Sequence, residues 1–102
     1  MVFFGRAADA ATMPKTMPTI SRFFGIIIRM YVREHGVPHF HAIYGQDEAA
    51  IAIETLTTLE GKLLRRAHAL VIEWALLHRA ALLDNWHRAQ RHEPAVDIEP
   101  LD

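Results

Sequence analysis

The stretch Gly25-Ile26-Ile27-Ile28-Arg29-Met30-Tyr31-Val32-Arg33-Glu34-His35-Gly36-Val37-Pro38-His39-Phe40-His41-Ala42-Ile43-Tyr44 decides the fold. Its first part is rich in β-branched and aromatic residues and alternates after Ile28, which predicts a strand over Gly25–Arg33. Gly36-Val37-Pro38 is a turn signal, and His39–Tyr44 reads as a second strand. Ile26, Ile28, Met30 and Val32 then share one face, opposite Ile27, Arg29, Tyr31, Arg33 and His35. On the second strand Phe40, Ala42 and Tyr44 oppose His39, His41 and Ile43. A three-residue loop would pair His35 with His39, Arg33 with His41 and Tyr31 with Ile43, because opposed residues in an antiparallel ladder point to the same side.

Working outward, Gly45-Gln46-Asp47 is a turn and Ala49–Glu54 a third strand, with Ala49, Ile51 and Ile53 opposing Ala50, Ala52 and Glu54. A two- or four-residue loop sets His39 and His41 beside Ala52 and Ala50, or beside Glu54 and Ala52. Both registers keep an apolar face and a His/Arg face. Thr55–Gly61 is a polar connection with a short extended piece at Leu56–Leu59. Lys62 to Arg91 contains no Gly or Pro and predicts one long helix. At about 100° per residue, Leu63, Ala67, Leu70, Val71, Trp74, Leu77, His78, Ala81, Leu82 and Asn85 make a stripe that covers the apolar sheet face. Ile72, Leu76 and Leu83 make a second, narrower stripe, read as a homodimer interface through the helix or as the seat of a terminal segment. Met1–Thr16 lacks periodicity and reads as a loosely ordered, flexible N-terminal extension, with Met17 as a second plausible start. Pro94 and Pro100 bracket an extended acidic tail. The expected fold is α+β: a three-stranded antiparallel sheet with one long C-terminal helix on one face (βββα), a single domain over residues 17–102.

With 102 residues and a net charge of −1, the chain fits one domain and does not suit bulk attraction to nucleic acid. Charge placement is uneven. Lys62, Arg65, Arg66, Arg79, Arg88 and Arg91 make the helix region basic, and Glu93, Asp97, Glu99 and Asp102 make the tail acidic. The absence of cysteine excludes disulfides, thiolate zinc sites and thiol nucleophiles. No apolar run approaches the roughly 18 residues that span a bilayer, so the expectation is a soluble cytoplasmic protein without a membrane partner.

Two chemistries suit the histidine cluster. In His35-x3-His39-x-His41 the last two rings project from one strand face about 7 Å apart, so both can reach one metal, with His35 across the turn and Glu54 as an oxygen ligand. The second chemistry is general acid–base cleavage of RNA without a metal. It needs a base, an acid and a cation, roles that His39, His41, Arg33 and Glu54 can fill, while Arg29, Tyr31, Arg33 and His35 hold the nucleic acid. No cofactor is expected. The bland counterpart of both is a basic, titratable surface that does no chemistry.

The chain also resembles the bacterial family known as domain of unknown function 4160. The resemblance is carried by Met17-Pro18-Thr19-Ile20-Ser21-Arg22-Phe23-Phe24-Gly25-Ile26, Pro38-His39-Phe40-His41, Ile53-Glu54, Leu59-Glu60-Gly61-Lys62-Leu63, Glu73-Trp74-Ala75-Leu76-Leu77-His78-Arg79 and Asp84-Asn85-Trp86. Members often have a Pro near the helix start, where this chain has Leu64-Arg65. The resemblance implies a small single-domain protein, often encoded beside a second small protein as toxin–antitoxin pairs are, and hence a cognate small-protein partner. It supplies no activity. The leading expectation is therefore a toxin–antitoxin-type protein that engages RNA through its His/Arg face as a metal-independent ribonuclease. The alternatives are the partner-binding or DNA-regulating half of such a pair, and a small metal-binding protein.

Overall fold

Residues 18–32 and 34–102 are described in the computed structural model of the chain. The expectations for the N-terminal extension, for Met17 and for Arg33 lie outside the described residues. Along the chain run β1 (Thr19–Phe23), β2 (Ile26–Arg29), β3 (His39–Tyr44), β4 (Asp47–Ala52), β5 (Thr58–Gly61), α1 (Arg65–Leu77) and α2 (Arg79–Gln90). The strands form one antiparallel sheet in the order β1-β2-β3-β4-β5. The α+β architecture is the expected one. Its element count is not: the sheet has five strands rather than three, and the single helix is two. No helix among the described residues is long and apolar enough to cross a membrane.

β1 escaped the sequence because Thr19–Phe23 is short and carries Ser21 and Arg22 between its apolar residues. Phe24-Gly25 closes it onto β2 as a two-residue loop in which both residues have positive φ, 50° and 80°. That is the type I′ geometry, whose twist matches the flanking strands. β5 is the extended piece near Leu59, shifted toward Gly61. Gly61 has φ +72°, and a Cβ there would collide with the Glu48 carbonyl oxygen. Only glycine lets β5 close this tightly on β4.

The β2–β3 connection departs most from expectation. β2 ends at Arg29, which pairs with His41, and Ile27 pairs with Ile43. The connection is thus residues 30–38 rather than the three-residue loop. The shift is an even number of residues, so the faces survive it. Pro38 accepts a hydrogen bond from the Ile53 amide at 3.0 Å, and the Glu34 carbonyl accepts one from Gln90 Nε2 at 3.2 Å. These bonds tie the connection to the end of β4 and the end of α2. Between β3 and β4 the two-residue loop is the one found, with His39 opposite Ala52 and His41 opposite Ala50.

The core lies between the helices and the face bearing Ile26, Ile28, Phe40, Ala42, Ala49 and Ile51, all buried. Trp74 of α1 is fully buried, with its ring 5.3 Å from Phe23 and 6.0 Å from Phe40 in an edge-on contact. The helix breaks at His78, whose φ of −128° is not helical. The break redirects the apolar stripe. Leu77, expected inside, is 69% exposed, while Ala75, Trp86 and Ala89 turn inward. Ile72 and Leu83 of the second stripe pack on the core as partly buried side chains, and Leu76 is exposed.

The tail is docked on this core. Asn85, fully buried, donates through Nδ2 to the Val96 carbonyl and accepts from the Val96 amide, both at 2.8 Å. Trp74 Nε1 donates to the Glu99 carbonyl at 2.8 Å. The Ile98 amide donates to the Ile20 carbonyl, also at 2.8 Å, at the irregularity where β1 leaves its register with β2. The acidic tail therefore partners the sheet edge that β1 would otherwise leave open.

Candidate metal centre

Alternation along β3 puts Phe40 and Ala42 under the helices and sends His39 and His41 to the opposite face. That face is covered at this point: both histidines are buried. Tyr31, Glu34 and Val37 of the β2–β3 connection cover it. Tyr31 lies over His41 with ring centroids 4.2 Å apart, and His39 packs against Trp86 of α2 at 5.1 Å. The two histidine rings meet edge to face at 5.2 Å.

Each ring is oriented by its Nδ1. His39 Nδ1 donates to the Val37 carbonyl at 2.8 Å, since a carbonyl oxygen only accepts. His41 Nδ1 donates to Glu48 Oε2 at 3.0 Å, an oxygen that also accepts the Tyr31 hydroxyl at 3.0 Å. Both Nε2 atoms are thereby aimed at one place. They lie 3.1 Å (His39) and 2.7 Å (His41) from the same oxygen, Glu34 Oε1. The ligand atoms of Glu34, His39 and His41 all lie within 4.8 Å of one another, the spacing of groups that share one cation.

The electrostatics follow from this crowding. Burial works to raise the Glu34 carboxyl, but hydrogen bonds from His41 and then His39 outweigh it and leave it below its ordinary value. The Tyr31 phenol is pushed up to about 12, first by burial and then by its hydrogen bond to Glu48 and that group's charge. On the open side a cleft of about 320 Å³ reaches the cluster, lined by His35, His39, His41, Ala50, Leu59 and Glu60 among others.

Of the residues singled out in the sequence, the structure brings together His39, His41 and Tyr31. His35 is exposed at the cleft. Arg29 is half-buried opposite His41, its Nε enclosed without a hydrogen-bond partner among the described residues. Glu54 is exposed in the turn after β4 and is not one of the clustered carboxylates. The carboxylates in the cluster are Glu34 and Glu48, which sequence reasoning passed over. Glu48 was within reach of it: a two-residue loop puts Glu48 opposite Ile43, diagonal to His41 on the same face. Glu34 had only the spacing Glu34-x4-His39-x-His41, which gains meaning once the connection is known to fold back.

Two histidines and a carboxylate on a small antiparallel sheet, each imidazole held through its other nitrogen, define a mixed nitrogen–oxygen ligand set of the kind that binds divalent transition metals. Residues 25–87, more than half of the chain, match the family described as Domain of unknown function (DUF4160), and the chain belongs to that family. Comparisons with curated proteins and with solved structures gave no match.

Proposed function

We propose that this protein binds one divalent transition-metal ion through Glu34 Oε1, His39 Nε2 and His41 Nε2, with the cleft side of the ion left for a water or a small ligand. One observation carries the reading. Both Nδ1 atoms are held by acceptors, the Val37 carbonyl oxygen and Glu48 Oε2, and both Nε2 atoms are aimed at the one oxygen Glu34 Oε1. With a divalent ion in place of the protons they share, the two imidazole nitrogens and the carboxylate oxygen would converge on it as ligands. The hydrogen bond from His41 to Glu48 is the carboxylate–histidine support that metal-binding imidazoles use to fix tautomer and raise basicity. The ligand types suit zinc, iron(II), cobalt(II) or manganese(II), and soft, thiolate-seeking ions are disfavoured.

The same geometry argues against metal-independent RNA cleavage at these rings. A general base needs a nitrogen open to substrate, and every ring nitrogen of His39 and His41 already faces an acceptor within 3.1 Å. The test uses the untagged full chain, stripped with chelator and titrated with each of the four ions by calorimetry. We expect one equivalent bound for at least one ion, and no binding in His41→Ala. A wild type that retains none of the four overturns the reading.

A further inference from the structure

The cleft beside the cluster is shaped by one row of the sheet. His41 pairs with Ala50 across β3 and β4, and Ala50 pairs with Glu60 across β4 and β5. Directly opposed residues point to the same side, so the three side chains stand in line on the cluster's face. Two strand spacings put the outer backbones about 10 Å apart. The middle member has no atom beyond Cβ, and the gap it leaves is the cleft, with His41 on one wall and Glu60 on the other. Glu34, His35, Gly36 and Val37 line the remaining side. Glu60 is exposed, lines the cleft and is not among the residues whose ligand atoms cluster within 4.8 Å.

We infer that this cleft admits a small ligand bearing an acidic O–H to the metal centre, and that Glu60 is the acceptor that takes up the ligand's proton as its oxygen joins the cation. The inference rests on the metal reading given above. In the step, the O–H bond of the ligand breaks, the proton passes to a Glu60 carboxylate oxygen, and the oxygen's electron pair forms the bond to the ion. Nothing is oxidised or reduced. A water molecule is the smallest ligand of this class, and with it the same proton transfer would leave a nucleophile beside Glu60. The arrangement thus favours hydrolytic chemistry over a closed structural site, whose ligands would all come from the protein. A large residue in place of Ala50 would fill the row and shut the cleft.

The experiment uses the full chain loaded with cobalt(II), whose visible spectrum reports its ligands, at one fixed pH. The two probes are acetohydroxamic acid, which must lose an O–H proton to bind, and azide, which carries none. Wild type is expected to bind both. Glu60→Gln should bind cobalt as wild type does, lose tenfold or more in affinity for acetohydroxamic acid, and bind azide unchanged or more tightly. Ala50→Leu should keep one equivalent of cobalt and respond to neither probe. Ala50→Val serves if the leucine variant does not fold. Equal effects of Glu60→Gln on the two probes, or no effect, overturn the inference, as does an Ala50 variant that still admits both. A wild type that loads with cobalt yet answers neither probe also overturns it. A wild type that binds no metal sinks the earlier reading instead.

Discussion

The two faces of β3 are both buried, and they are buried by opposite means. Phe40 and Ala42 lie under Trp74 and the other apolar residues of the helices, where nondirectional burial holds them and a change of shape costs packing. His39 and His41 lie on the opposite face, buried against residues of the β2–β3 connection. They are held instead by directional partners: Val37, Glu34 and Glu48, with Tyr31 and Trp86 against the ring faces. One strand thus separates a region that stabilises the fold from a region that spends part of that stability on a polar cluster. The difference teaches where to look for chemistry. A buried apolar side chain is explained by the core, whereas two buried imidazoles sharing one carboxylate oxygen are where the metal reading proposed above is to be tested.

The comparison breaks most visibly on the helix face. Trp74→Ala removes the largest fully buried side chain and its bond to Glu99, and should cost about 3–5 kcal/mol in chemical denaturation. The loss should be the same with and without metal, because the cluster lies on the other side of the sheet. On the cluster face the sign reverses. A metal ion supplied at one hundred times its dissociation constant should stabilise wild type by about 2.7 kcal/mol and leave His41→Ala unmoved, as thermal unfolding with and without zinc would show. If His41→Ala gains as much from zinc as wild type does, the ion binds elsewhere and the two faces are not divided as described.

A finer cut separates ligands from their supports. Glu48 touches the centre only through His41 Nδ1, so Glu48→Gln should keep one metal equivalent but weaken it 10- to 100-fold in calorimetric titration. Loss of binding altogether would make Glu48 a ligand. No weakening would make the His41–Glu48 bond incidental.

How much of this was legible in the sequence divides along the same line. The apolar face of β2, β3 and β4 followed from alternation, and so did the placing of His39 and His41 on one face, because parity survives any even shift in register, whereas Tyr31 reaches His41 from the connection. The length of the connection did not. Val32 and Arg33 continue a good strand pattern, and what ends β2 at Arg29 is tertiary: bonds from Gln90 to Glu34 and from Ile53 to Pro38, invisible to local propensity. Glu34 stayed hidden for that reason, and Glu54 was favoured in its place because a longer third strand would have carried it to the same face. The single helix failed similarly. Nothing in Leu76-Leu77-His78-Arg79 breaks a helix by composition. The break lets Trp86 reach His39 while Arg79 Nε donates to the Ile53 carbonyl at 3.3 Å. β1 depended on a type I′ turn whose first residue, Phe24, is an unusual choice for positive φ.

The smallest effect belongs to Tyr31, which covers His41 but reaches the cluster only through Glu48. Tyr31→Phe keeps the ring stack and removes one hydrogen bond to a carboxylate, so the metal-free protein should lose about 0.5–1.5 kcal/mol at neutral pH. The pH dependence carries the sharper information. The folded phenol is pushed up to about 12, above its ordinary value of 10.0, so the folded state favours the protonated form. Stability from this group is fully present below pH 10 and is lost as the pH rises through about 12. Other groups titrate over the same range, but they do so in both proteins. The difference in stability between wild type and Tyr31→Phe should therefore be flat up to pH 10 and shrink above it, measured by urea denaturation on metal-free samples. A difference that holds constant through pH 12 would mean that the hydroxyl is solvated rather than committed to Glu48. The covering of the histidine face would then be a stacking contact alone.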